Sequence, residues 1–141
     1  MIRKMQPEDI SKIMTIWIKG NFKCNYFIEK DYWLLEFNKM KNDIINKYQT
    51  FVYVKENQIQ GFISIYKNEI KAIYVKEDKK RQNIGRKLIN FCRKKYNNLF
   101  IKIYEKNISA ILFFNALSFK NEKININKKF NEKEYLMSWI T

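Results

Sequence analysis

The sequence predicts a mixed α/β fold, a mostly antiparallel mixed sheet with helices on both faces, and three observations predict it. Stretches with the helical i, i+3, i+4, i+7 apolar spacing recur between runs of β-branched and aromatic residues along the 141 positions. Three such runs between positions 51 and 75 are separated only by short polar turns, which is the pattern of an antiparallel meander. The chain is of ordinary one-domain length and 46% of it is apolar, so it has the material for one real core.

Each element has its own warrant. Ile2 to Met5 reads as a short first strand. Pro7, the only proline, sits at a helix start with Glu8 and Asp9 in the first turn, where acidic groups suit the exposed N–H groups. Ile10, Ile13, Met14 and Trp17 form that helix's apolar face, and Gly20-Asn21 is expected to end it. A second helix begins near Asp31, with Trp33, Phe37, Met40 and Ile44 on one side. Strands are expected at Phe51 to Lys55, Ile59 to Tyr66 and Ile70 to Val75, with tight turns at Glu56-Asn57 and Asn68-Glu69. Ile84, Leu88, Phe91 and Cys92 give a helix, Leu99 to Tyr104 a strand, and Asn107 to Leu117 a helix with Ala110, Ile111, Phe114 and Leu117 inward. Two strands, near Lys120 to Ile126 and Lys133 to Ile140, end the chain as a hairpin. The predicted order is β-α-α-β-β-β-α-β-α-β-β in a single domain over residues 1–141.

Composition removes several functions. The apolar stretches are too short for a membrane span, and MIRKMQPEDI turns polar at once, unlike a secretory signal. Histidine is absent and the two cysteines, Cys24 and Cys92, have no ligand spacing, so no metal site is expected and a reduced, cytoplasmic protein is. Cys92 reads as a small buried apolar residue. The net charge of +14 raises the question of nucleic acid. Lys, Ile and Asn, however, supply 63 of the 141 residues, and the lysines are spread with no arginine-rich block. Compositional drift explains the charge better, though a positive surface still favours anionic ligands.

One basic stretch calls for more. Lys79 to Leu88, KKRQNIGRKL, lies between a strand ending at Val75 and a helix starting near Ile84. A helix N-terminus there leaves backbone N–H groups able to bind an anion. Gly85 permits close approach, and Arg81, Arg86 and Lys87 add charge. Taken alone, the stretch suits a solvated loop better. In its context, YVKEDKKRQNIGRKL followed by FIKIYEKNISAILFFNALSF resembles the GNAT superfamily of acyl-CoA-dependent N-acetyltransferases. Lys80, Asn83 and Gly85 fall on the named positions of the family's Arg/Gln-x-x-Gly-x-Gly/Ala loop. Asn107, Ala110, Phe114, Ser118 and Phe119 fall on its Asn-x-x-Ala-x-x-x-Tyr-x-x-x-Gly-Phe. Ile16-Trp17, Phe27-Ile28, Tyr32-Trp33 and Met137-Ser138-Trp139 are similar to small bacterial members of the protein-lysine acetyltransferase type.

The resemblance implies a GNAT acyl-CoA N-acyltransferase fold whose fourth and fifth strands splay apart. It implies acetyl-CoA as cosubstrate, with no metal, and an amine acceptor: a protein lysine, a peptide N-terminus or a small amine. The cofactor would be held by Ile73, Tyr74, Val75, Arg81, Gln82, Asn83, Ile84, Gly85, Arg86, Asn107 and Phe114. Trp17, Tyr26, Phe27 and Tyr32 would shape the acceptor cleft. Two departures are small: Asn83 and Ser118 stand where the family has glycine, and Asn is the residue that best tolerates positive φ after glycine. The third is chemical. Phe114 occupies the place of the family's general-acid tyrosine and has no proton to give. Solvent or another hydroxyl would then serve, with Tyr104 a candidate that better suits an ordinary strand aromatic. Glu69 fits a solvated turn carboxylate better than a base acting through water. A monomer or homodimer is expected. The alternatives are an acyl-CoA-binding sensor, favoured by Phe114, and a basic nucleic-acid-binding module, favoured by charge alone.

Overall fold

A computed structural model describes residues 1–141. The strands are β1 (Ile2–Lys4), β2 (Gln49–Lys55), β3 (Gln58–Tyr66), β4 (Glu69–Val75), β5 (Asn98–Tyr104), β6 (Lys120–Asn127) and β7 (Glu132–Ile140). The helices are α1 (Ile10–Cys24), α2 (Lys30–Asn46), α3 (Ile84–Arg93) and α4 (Ile108–Ala116). They follow the predicted order, with the seven strands arranged β1-β2-β3-β4-β5-β7-β6. Every neighbouring pair is antiparallel except β4 and β5, which are parallel.

The alternation of side chains along β2 and β3 divides the core in two. Val52, Phe62 and Ala72 turn to one face, where they meet Ile13, Met14 and Trp17 of α1 and Trp33 and Ile44 of α2. Phe51, Tyr53, Ile63 and Ile65 turn to the other, against Ile84, Leu88, Ile89 and Cys92 of α3 and Phe114 of α4. Cys92 is fully buried there, and burial pushes its thiol up to about 12, so it is an inert packing group. No helix is long and apolar enough to cross a membrane.

Two sequence expectations are corrected. Gly20 and Asn21 do not end α1, which runs on to Cys24. A Cβ on Gly20 would lie 2.3 Å from a ring carbon of Tyr74, so the glycine lets the helix pass close over β4 rather than stopping it. The turn between β3 and β4 is Lys67-Asn68, one residue earlier than expected. Both residues have positive φ, 48° and 69°, as a two-residue hairpin turn with the strand's own twist requires. Glu69 already belongs to β4.

The feature that positions the site is the parting of β4 from β5. They share a single bridge, Glu69 with Phe100, and diverge beyond it. The opening therefore lies toward Val75 and Tyr104, at the C-terminal ends of both strands.

Candidate active site

A cleft of about 640 Å³ passes through this parting and is lined from both faces of the sheet. On the α3/α4 face its walls are Lys79, Lys80, Arg81, Asn83, Ile84, Gly85 and Arg86, with Asn107, Ser109, Ala110, Phe113 and Phe114 opposite. On the α1/α2 face they are Trp17, Asn21, Cys24, Asn25, Tyr32, Trp33 and Glu36. Ile73, Tyr74 and Val75 of β4 and Tyr104 of β5 form the passage between them.

The loop before α3 is built on left-handed residues. Asn83, the N-cap of α3, has φ 60° and ψ 22°, the conformation for which Asn is the best substitute for glycine. Arg81 also has positive φ, 69°. No side chain caps α3, so the first N–H groups of the helix are not satisfied by a local acceptor. Gly85 has a different role from the one its sequence position suggests. It has no positive φ, and a Cβ there would meet the Phe113 ring tip at 3.0 Å, so it permits α3 and α4 to close on each other. Lys80, on the first motif position, is 3.0 Å from Glu77. Glu77 also pairs with Lys23, whose hydrogen bond holds its carboxyl below the usual range.

The backbone of β4 is directed too. Lys76 donates its N–H to the carbonyl of Gln60 on β3. Successive N–H groups of a strand point to opposite sides, so Val75, and Ile73 two residues before it, present theirs to the parting.

Of the expected cofactor residues, Gln82 alone does not line the cleft; it is exposed between the two left-handed residues of the loop. Asn107 does line it, but its side-chain oxygen caps α4, accepting from the Ala110 N–H at 3.3 Å. Phe114 is 1% exposed and packs edge-on to Phe113 and Phe119, so it is a core ring with one side toward the cleft.

The acceptor candidates divide. Trp17 and Tyr32 line the cleft. Phe27 bears on it through Tyr104, with ring centroids 5.5 Å apart. Tyr26 lies outside, exposed past the end of α1 and stacked edge-on against Phe27. Edge-to-face contacts at 4.7 to 6.4 Å link Trp17, Trp33, Tyr32, Phe130 and Tyr104 into one aromatic wall. Glu69 does not reach the cleft; Lys71 holds it at 2.9 Å.

Among the cleft hydroxyls, Tyr74 donates to Asn21 Oδ1 (2.7 Å), Tyr32 to Glu36 (3.1 Å), Tyr48 to Asp43 (3.2 Å) and Ser109 to Asn107 (3.3 Å). Tyr104 alone makes no hydrogen bond within the protein. Burial, with Glu134 nearby, raises its pKa, so it keeps its proton.

Sequence reasoning missed Asn21, Asn25, Trp33 and Phe113. The spacing Trp17, Asn21, Asn25 is i, i+4, i+8 on one helix stripe, which was the available signal.

The acetyltransferase (GNAT) domain family profile matches residues 27–130. Peptidyl-lysine N-acetyltransferase YiaC of Escherichia coli (strain K12) is 24% identical over 140 residues, covering 99% of this chain and 96% of that one. The solution structure of apo YjaB from Escherichia coli superposes with a TM-score of 0.80 at 17% identity, over 99% of this chain and 96% of that one. PaiA N-acetyltransferase from Thermoplasma acidophilum, solved in complex with coenzyme A, gives 0.78 at 16% identity, over 100% and 98%. With the family profile spanning most of its length and the parted β4 and β5 at its centre, the chain belongs to the GNAT family of acetyltransferases.

Proposed function

We propose that the protein transfers the acetyl group of acetyl-CoA to a primary amine by direct attack within a ternary complex. The observation that carries this reading is the cleft through the sheet, which joins a basic, uncapped helix N-terminus on one face to an aromatic wall on the other. The residues present fit the cosubstrate: free N–H groups at Ile84 and Gly85 with Arg81 and Arg86 suit a pyrophosphate. Ile73 and Val75 offer strand-edge N–H and C=O groups to the amides of a pantetheine arm. When bound, acetyl-CoA supplies a thioester activated toward nucleophilic attack.

The chain's own contribution is then placement and polarity. The walls hold the amine and the acyl carbon in one passage, which converts a bimolecular encounter into a unimolecular one. The Val75 N–H faces the negative charge that builds on the acyl oxygen as nitrogen attacks. Nitrogen gains the acyl carbon, the carbon–sulfur bond breaks, and the proton shed by the amine balances the charge on sulfur. Phe114 cannot carry that proton, and Tyr104 is the cleft hydroxyl not already committed. Tyr104 or solvent returns it. The similarity to a peptidyl-lysine N-acetyltransferase supports a lysine side chain as the acceptor.

The test has two parts. Acetyl-CoA should raise the melting temperature, and thiol release should follow addition of a lysine-bearing peptide. No stabilisation by acetyl-CoA or CoA would overturn the cofactor assignment. Stabilisation without thiol release from any amine would favour the second reading, an acyl-CoA-binding sensor, for which the buried ring of Phe114 is the specific observation.

A further inference from the structure

Four buried side-chain polar atoms have no hydrogen-bond partner in the protein: Asn25 Oδ1, Trp33 Nε1, Gln60 Oε1 and Arg93 Nε. Gln60 and Arg93 lie away from the cleft, whereas Asn25 and Trp33 line it. Both belong to its α1/α2 face, across the sheet from the basic loop. Asn25 is 6% exposed and Trp33 8%, so neither atom has bulk water to fall back on. Buried polar groups are nearly always partnered, and two that are not, in one wall of one cleft, point to a ligand.

Their chemistry is fixed by the network behind them. Asn21 donates its Nδ2 to the Trp17 carbonyl at 3.1 Å, which sets the orientation of its amide. Its oxygen therefore accepts, from the Tyr74 hydroxyl at 2.7 Å and from Asn25 Nδ2 at 2.8 Å. Asn25 must turn its nitrogen to Asn21, which leaves an oxygen, an acceptor, as the free end of the chain. The indole nitrogen of Trp33 is a donor only. Two residues that line this wall thus hold, without a partner in the protein, one acceptor and one donor. A bare alkylammonium has N–H donors and no acceptor, and a free alkylamine has only the lone pair that must attack the thioester. A peptide unit has both, an N–H for Asn25 and a carbonyl for Trp33.

We propose that Asn25 and Trp33 form a subsite that reads an amide group of the acceptor, so that amines carried on a peptide-like backbone are preferred to simple alkylamines. This rests on the acetyltransferase reading for its placement in the reaction, and the experiment separates the two. The full chain, labelled with ¹⁵N and saturated with CoA, is titrated with Nα-acetyl-lysine N-methylamide and, separately, with butylamine. The indole N–H resonance of Trp33, assigned by its loss in Trp33→Phe, is followed. The amide-bearing ligand should move it to saturation, and butylamine should leave it in place. In steady state, Trp33→Phe should raise KM for the amide acceptor about tenfold more than KM for butylamine, as loss of one buried hydrogen bond implies. An indole resonance that ignores the amide, answers both ligands alike, or moves on addition of CoA and not of acceptor would overturn the subsite. So would an equal rise in KM for both amines. Failure of the wild type to acetylate any amine would instead overturn the proposed reaction, and the titration would still judge the subsite.

Discussion

The two ends of the cleft are built in opposite ways. At the α3/α4 end one wall is contiguous in sequence: Lys79 to Arg86 supply left-handed backbone, uncapped N–H groups and cations within eight consecutive positions. At the α1/α2 end the wall is assembled from Trp17, Asn21, Asn25, Tyr32 and Trp33, with Tyr74 and Tyr104 brought from distant strands. An anion is a generic ligand, and helix-start geometry plus positive charge is enough to hold it. A particular acceptor needs directional partners, and those come from side chains locked by other side chains.

If that contrast is right, damage at the first end should be electrostatic and damage at the second structural. Gly85→Asp should cause the largest loss, about 100-fold or more in acetyl-CoA affinity, through like charge at the helix start. Gly85→Ala should keep most of the affinity, since the Phe113 ring tip need shift only a few tenths of an ångström. Isothermal titration of both variants separates charge from size; equal losses would mean that packing against Phe113 is the whole effect. Gly20→Ala should act through stability instead, lowering it by about 1–3 kcal/mol because the Tyr74 ring must leave its place over α1. Alanine gains about 0.5–1 kcal/mol in helix propensity, so a variant as stable as the parent in urea would show that the ring moves freely.

The third comparison is between two rings. Phe114→Tyr should raise turnover by about tenfold or less, since general acid catalysis is worth about 10²–10⁴-fold and another proton source already covers part of it. Tyr104→Phe should lower turnover with cofactor affinity unchanged. A neutral Phe114→Tyr beside an inactive Tyr104→Phe assigns the proton to Tyr104. The smallest effect belongs to Asn83→Gly: cofactor affinity equal or slightly better, because glycine adopts the observed φ of 60° at no steric cost. A large loss would reveal a contact made by the Asn83 side chain itself.

The same contrast explains what was legible in the sequence. The element order could be read because it depends on neighbours in the chain: strand, turn, helix start; the basic loop before α3 stood out by its charge, but only the likeness to a family favoured an anion for it. The left-handed Asn83 was expected because it stands where the resembled family has glycine and Asn tolerates positive φ best after glycine. The wall at the α1/α2 end was not. Apolar periodicity ignores polar residues, so Asn21 read with Gly20 as a helix end and Asn25 was not singled out, although both are buried beside Trp17. Gly20 was read as punctuation because glycine usually is. Its real partner, Tyr74, is 54 positions away and becomes visible only when the helix lies on the sheet. Tyr104 could be proposed but not ranked; its standing comes from the commitment of every other cleft hydroxyl, which only the folded arrangement shows.

The parting of β4 from β5 leaves two strand edges in the middle of a sheet. Exposed edges ordinarily recruit other chains. Here helices cover both faces, and only a thin, linear guest with regularly spaced amides could lie between the strands as an eighth member of the ladder. A guest that completes the ladder becomes part of the fold itself. The stability of the protein then rises with the guest's concentration, by about 2.7 kcal/mol at one hundred times its dissociation constant. Resistance of the chain to unfolding would thus serve as a gauge of how much of that guest is at hand.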